Sequence, residues 1–320
     1  MKPAAASTGT SAVVFAYHNV GARALRALLD ADVEVRLVVT HQESPTEAVW
    51  FASVAHVAAE WGLPCIVCDD PMAEELLAQC RAADPDFLFS FYFRKMLPAA
   101  VLAVARRGAF NLHGSLLPRY RGRAPVNWAI LHGERETGAT LHVMDGKPDH
   151  GAIVDQMAVP ILRDDTAREV FDKVTVAAEL TIVRALPRLI DGSAVFMPQR
   201  SLPGQYFGER RPEDGRIPPT AEARRIHDLV RAVAPPEYPG AFFDAFGHRV
   251  LLARTMPAAH SVPAFHALGR FAMFALDGHV WIDGSDGARL RVLSALVDGM
   301  ECDAATFTGL FGDVAVTSDN

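Results

Sequence analysis

No G-x-G-x-x-G follows the first apolar run of this 320-residue chain; the turn there, Ala16-Tyr17-His18-Asn19-Val20-Gly21, carries one glycine. A nicotinamide-binding Rossmann domain thereby loses its main sequence support, since those glycines let the backbone approach a pyrophosphate. Cysteine is scarce: four residues cannot supply the disulfide framework of a small secreted domain. Cys65 and Cys68 form a C-x-x-C within an apolar stretch, but no second Cys/His pair lies near them, so they read as buried strand cysteines. Positive charge is in deficit. Lys and Arg number 31 against 38 Asp and Glu, a net charge of −7, which argues against a polyanionic partner such as tRNA or DNA. No apolar stretch approaches the ~20 residues that span a bilayer. The N-terminus lacks a signal peptide's apolar core and cleavage context, so a cytoplasmic protein without membrane insertion is expected. His18, His41, His56, His132 and His142 show no ligand spacing, so no metal is expected. Internal repeats and low-complexity tracts are absent.

What is present is an alternation of short apolar runs and helical patterns. Residues 11–17 (SAVVFAY), 33–40 (VEVRLVVT), 65–68 and 86–90 read as strands, with helices over 21–30, 50–61 and 72–83. That βαβαβ pattern packs naturally as parallel strands under covering helices, a Rossmann-like α/β domain over residues 1–205. A capping box, Thr166-x-x-Glu169, opens a long helix. A run of turn formers and charges places a linker at 206–219, and Thr220 is the expected cap of a second amphipathic helix. Beyond Pro239, Asp277-Gly278, Asp286-Gly287 and Asp298-Gly299 separate strand-like runs as hairpin turns do. Residues 220–320 therefore read as a small C-terminal β-barrel-like (OB-like) domain.

The chemistry concentrates in residues 109–124, AFNLHGSLLPRYRGRA. A strand end delivers Asn111 and His113 to one face, since side chains two apart share a side. Beyond the carboxyl ends of the strands is where open α/β sheets place their ligands. An amide beside an imidazole can stabilise an oxyanion and move a proton, and Asp149 adds a carboxylate from a turn-rich loop. Pattern alone stops at an α/β enzyme with an Asn/His/Asp site; a strand-end cap and a turn residue would look the same.

The string Asn111-Leu112-His113-Gly114-Ser115-Leu116-Leu117-Pro118-Arg119-Tyr120-Arg121-Gly122-Arg123-Ala124-Pro125 resembles the signature of the 10-formyltetrahydrofolate-dependent formyltransferases. Within that family the likeness is greatest to the formyltransferase domain of the bifunctional enzyme that makes UDP-4-amino-4-deoxy-L-arabinose derivatives for lipid A, a modification tied to polymyxin resistance. It extends through Phe15-Ala16-Tyr17-His18, Phe89-Ser90-Phe91-Tyr92-Phe93-Arg94, Asp149-x-Gly151-Ala152-Ile153-Val154 and Arg210-Arg211-Pro212-Glu213-Asp214. The 320 residues hold no decarboxylase half, so only formyl transfer is carried over.

The resemblance implies that Asn111, His113 and Asp149 are the catalytic trio. It implies that Lys95, Met96 and Leu97 line the folate ring, that Arg123 contacts the cofactor region, and that the loop Asp145, Gly146, Lys147, Pro148, Asp149 closes over it. The co-substrate would be 10-formyltetrahydrofolate, with no metal, and the acceptor a small-molecule sugar nucleotide; a homodimer is a compatible assembly. Lys95-Met96 and the stretch Asp145-Gly146-Lys147-Pro148 depart from the resembled domain, which points to contacts made by backbone there. In the implied chemistry Asn111 and a protonated His113 serve the oxyanion, and Asp149 favours the imidazolium. Arg210 and Arg211 are the candidate diphosphate contacts, against the alternative of solvated linker charges. The same-family rival is methionyl-tRNA formyltransferase. A rival from another class is formyltetrahydrofolate hydrolase, since the same trio could activate water, and a non-catalytic folate or sugar-nucleotide binding protein is a third reading. The short, acidic loop 41–48 and Arg123, where the tRNA enzymes resembled carry a small residue, favour the sugar.

Overall fold

Short β-branched and aromatic runs bounded by polar turns become the strands of a wound sheet. The computed structural model describes residues 9–42, 51–200, 206–258, 269–312 and 314–318. The chain divides into two compact units, the first of residues 1–125, 136–160 and 171–208, the second of 126–135, 161–170 and 209–320. In chain order the first part runs β1 (Ser11–Ala16), α1 (His18–Asp30), β2 (Glu34–Thr40), α2 (Val54–Glu60), β3 (Cys65–Val67), α3 (Glu74–Ala83), β4 (Phe87–Phe91), α4 (Ala99–Leu102) and β5 (Gly108–His113). Then come β6 (Arg121–Gly122), α5 (Pro125–Leu131), β7 (Glu136–Val143), β8 (Ile153–Pro160), α6 (Ala167–Asp191) and β9 (Tyr206–Phe207).

The main sheet has the order β3-β2-β1-β4-β5-β7-β8. Its first five strands are parallel, as expected from the alternation of strand and helix, and β7 and β8 extend it antiparallel. Every residue of β1 and β4 is buried, which is why they read as unbroken apolar runs rather than alternating ones. Val13, Phe15, Leu37, Val39, Leu88 and the α3 residues Leu76 and Cys80 form one core cluster on this sheet. Where a dinucleotide fingerprint would place its glycines, Gly21 alone allows α1 to approach the strands. A Cβ there would come within 3.3 Å of the Phe91 carbonyl.

The second unit includes α7 (Ala223–Ala232), β10 (Ala241–Ala245), β11 (His248–Pro257), β12 (Ala272–Leu276), β13 (His279–Asp283), β14 (Arg289–Val297), β15 (Met300–Glu301) and α8 (Ala304–Phe311). Its strands form a curled antiparallel sheet, β10-β11-β14-β13-β12, with β15 paired to β14. The three Asp-Gly pairs sit at its turns: Asp277-Gly278 joins β12 to β13, Asp286-Gly287 joins β13 to β14, and Asp298-Gly299 joins β14 to β15. Both residues of the first and third pairs have positive φ, the geometry that two-residue hairpins demand.

Three local expectations are corrected. Cys65 and Cys68 are half-buried rather than buried, because β3 is the edge strand of the sheet. The second helix, expected over 50–61, begins among the described residues only at Val54, where the Ser53 hydroxyl accepts from the His56 N–H. The cap of α7 is Glu222 rather than Thr220, and the free N–H of Ala223 is met by the Asp286 carboxylate instead of a local hydroxyl. The capping box at α6 is present: the Thr166 N–H donates to Glu169 Oε2 at 2.7 Å, and the Glu169 N–H donates to Thr166 Oγ1 at 3.4 Å. Within the stretch read as a linker, Tyr206–Phe207 pairs with β6 and Pro212–Gly215 makes a 3-10 turn.

Candidate active site

The last residue of β5 is His113, so the parallel strand ends by delivering an imidazole to the carboxyl edge of the sheet. Asn111 lies two residues earlier and opposite His142 of β7 in the antiparallel ladder. The loop after β7 turns back at Asp149, whose φ of 49° is left-handed for a non-glycine residue. These four side chains meet around one oxygen. Asp149 Oδ1 is 3.3 Å from Asn111 Nδ2, 3.5 Å from His113 Nδ1 and 3.5 Å from His142 Nε2. Its other oxygen, Oδ2, accepts the Gly122 N–H at 2.8 Å.

Backbone carbonyls fix both rings. His113 Nε2 donates to the Tyr120 carbonyl at 2.8 Å, which leaves Nδ1 turned to the carboxylate. His142 Nδ1 donates to the Val143 carbonyl at 2.8 Å, so its Nε2 accepts from the Asn111 amide at 3.1 Å. Asn111 thus has its amide between one imidazole and the carboxylate. The Asp149 contact is the longer of the two and the easier to exchange for another acceptor.

Burial works to raise the Asp149 pKa, but His113 and His142, each in its protonated form, and the Gly122 N–H outweigh it. The carboxyl is held well below the usual carboxylate range and is ionised at neutral pH. Its side chain is 12% exposed and that of His113 is 8%, so this charge sits where solvent screens it weakly.

Of the remaining expected residues, Lys95 and Met96 are exposed on the loop after β4, Met96 at 57%, whereas Leu97 is buried at 8%. Arg123 is exposed, and its N–H donates to the Phe207 carbonyl. In the loop that ends at Asp149, Asp145 accepts from the Lys147 N–H and pairs with His150, while Gly146 and Pro148 are exposed. Arg210 belongs to the second unit, where its guanidinium lies 5.1 Å from the Trp128 ring centroid and donates to the Asp214 carbonyl. Arg211 is exposed, and its backbone N–H donates to Asp214 Oδ2 at 2.7 Å. The acidic loop 41–48 lies, from residue 43 onward, outside the described residues.

Sequence reasoning passed over His142, because a single histidine in an apolar strand carries no spacing signal; only the register of β7 on Asn111 exposes it. It also passed over Gln199, whose amide donates to the Asp149 and Gly151 carbonyls. Among the described residues no group of three His, Cys, Asp or Glu is placed to hold a metal ion, and no helix is long and apolar enough to cross a membrane.

The family described as formyl transferase matches residues 13–186, and the formyl transferase C-terminal domain matches residues 210–309. Among solved structures, WlaRD, a sugar 3N-formyl transferase crystallised with dTDP and 5-N-formyl-THF, is similar at a TM-score of 0.67 and 19% identity, over 88% of this chain and 96% of its own. An N-formyltransferase from Helicobacter canadensis, in complex with folinic acid and dTDP-3-aminofucose, is similar at 0.65 and 19% identity, over 88% of this chain and 98% of its own. A 4-N formyltransferase from Francisella tularensis is similar at 0.63 and 21% identity, over 78% of this chain and 98% of its own. At these identities the likeness is one of fold.

Proposed function

Because this chain belongs to the formyl transferase family, we propose that it moves a formyl group from 10-formyltetrahydrofolate to the amine of a sugar nucleotide, with UDP-4-amino-4-deoxy-L-arabinose the first acceptor to test. The observation that carries the reading is the convergence of Asn111, His113 and Asp149 at the carboxyl edge of the sheet, with both rings locked so that His113 Nδ1 faces the carboxylate. Similar folds crystallised with 5-N-formyl-THF and dTDP, and with folinic acid and dTDP-3-aminofucose, support the two substrate classes. The net charge of −7 supports a small acceptor over tRNA.

The residues present fit a reduced folate. Exposed Met96 beside buried Leu97 offers apolar surface on the β4 loop, and Arg121 Nε is buried without a partner among the described residues, a spare donor next to the site. When bound, the folate supplies the one-carbon group at the formyl oxidation level. The protein supplies donors for the oxygen on which charge collects and a route for the amine's proton. The Asn111 amide is the neutral donor, exchanging its 3.3 Å contact with Asp149 for the developing oxyanion. His113 moves a proton at Nδ1, since Nε2 is committed to Tyr120. Asp149, ionised and shielded from solvent, stabilises the imidazolium that this creates.

The test is a panel of amino-sugar nucleotides, UDP- and dTDP-linked, plus methionyl-tRNA, each incubated with 10-formyltetrahydrofolate and assayed for N-formyl product and for free formate. N-formyl sugar nucleotide is expected. Formyl-methionyl-tRNA at a comparable rate, or formate released without an acceptor, overturns the assignment.

A further inference from the structure

Gln199 lies 50 residues beyond Asp149 in the chain, half-buried in the stretch between α6 and β9. All of its side-chain hydrogen-bonding groups are engaged around the site. Nε2 donates to the Asp149 carbonyl at 3.1 Å and to the Gly151 carbonyl at 2.7 Å, while Oε1 accepts from Arg121 Nη2 at 2.9 Å. Arg121 is the β6 neighbour of Gly122, and the Gly122 N–H holds Asp149 Oδ2. The hydrogen bonds close a ring: Gln199 to the Asp149 backbone, the Asp149 carboxylate to Gly122, Gly122 through the chain to Arg121, and Arg121 back to Gln199.

We propose that Gln199 is a positioning residue for Asp149, holding the turn in the left-handed conformation that aims the carboxylate at Asn111, His113 and His142. Asp149 needs such a clamp. Aspartate tolerates a φ of 49° better than most non-glycine residues, as Asp277 and Asp298 do at their turns, but the conformation still costs more than the right-handed or extended ones and is kept by the contacts that offset it. Two carbonyls converging on one amide demand two protons on the same nitrogen, and the guanidinium on the other side demands an acceptor. A neutral amide meets both demands; a carboxylate meets only the second, and an apolar side chain meets neither. The inference rests on the formyl-transfer reading for its kinetic consequence and on geometry alone for its structural one.

Gln199→Glu and Gln199→Met separate the roles, because Glu keeps the Arg121 partner and loses both donors to the turn. The experiment measures kcat and both KM values with 10-formyltetrahydrofolate and the best acceptor of the panel, and records imidazole 15N spectra of the wild type, both variants and Asp149→Asn. Thermal unfolding certifies the fold, and the near-isosteric Gln199→Glu is the variant to rely on if Gln199→Met fails to fold. The expected result is a kcat loss of tenfold or more in both variants, with each KM within threefold, and His113 and His142 resonances displaced in the sense seen for Asp149→Asn. Wild-type kcat in Gln199→Glu would overturn the proposal, because Gln199 would then serve only Arg121. Unmoved imidazole resonances in both variants would overturn it as well. A wild-type protein that formylates no amine would count against the functional reading instead, and the imidazole spectra would still decide the role of Gln199.

Discussion

His142 faces Asn111 across the β5–β7 ladder, and its Nε2 accepts the Asn111 amide at 3.1 Å. That bond fixes which way the amide points, and His142, 2% exposed, cannot trade it for water. His142→Leu removes the acceptor at similar bulk, whereas Gln can present an oxygen near the position of Nε2. One lost hydrogen bond is worth about 1 kcal/mol, hence roughly a three- to tenfold fall in kcat for Leu. Gln should recover most of it. Equal losses in the two variants would show that ring packing, not the bond to Asn111, is what matters.

The trio itself should fail in kcat rather than in folding, since Asn111, His113 and Asp149 lie at a strand end and a turn. His113→Ala is expected to lose at least about 10²-fold, the range of a positioned acid or base. Asn111→Ala should lose about 10²-fold or more, with KM for the folate little changed, as for a donor used in the transition state. Steady-state kinetics with circular dichroism as a fold check decide this. A normal rate for His113→Ala removes His113 from the mechanism.

Asp149 also predicts a pH dependence. Burial raises its pKa, but His113, His142 and Gly122 lower it further, and the net displacement is downward. A group depressed on folding contributes stability in full above its unfolded pKa, about 3.9, and loses it as pH falls through the folded value. Asp149→Asn should therefore melt below the wild type at pH 5, with the gap narrowing below about pH 4 as the carboxyl of the unfolded wild-type chain becomes protonated while the folded one stays ionised to lower pH. A gap that is unchanged at pH 2 would mean that the carboxylate's charge is not what the site stabilises.

Legibility in the sequence followed the range of the interactions. The strands β1 and β4 were visible because strands buried on both faces become apolar runs, and β2 through its β-branched residues Val35, Val38 and Val39. The hairpins were visible because Asp-Gly supplies the positive φ that their turns need. Asn111 and His113 share a strand, so their proximity was written in a spacing of two. His142 and Gln199 join the site through register and through a turn closed 50 residues away, and neither leaves a local pattern. The antiparallel addition of β7 and β8 was hidden for the same reason. The cap of α7 was misplaced because a distant carboxylate can replace the local hydroxyl, as Asp286 does for Ala223.

Gly122 tests whether the carboxylate must be held from below. Its φ of 95° is a conformation that L side chains rarely adopt, and a Cβ there would collide with the Phe207 carbonyl. That carbonyl belongs to β9, which pairs with β6 through Arg121–Tyr206 and Gly122–Phe207. Gly122→Ala must push β6 from β9, and the N–H that holds Asp149 Oδ2 at 2.8 Å moves with it. Two readouts should change together: kcat by roughly tenfold or more, for a lost charge-assisted hydrogen bond of about 1.5–3 kcal/mol, and the apparent pKa of Asp149 upward, since one of its stabilising donors is gone. The pairing is a sheet of two two-residue strands separate from the main one, so the main sheet and its core should survive, leaving the circular dichroism spectrum near that of the wild type. An active Gly122→Ala enzyme with an unshifted Asp149 would show that the backbone donor is dispensable and that the imidazoles alone hold the carboxylate in place.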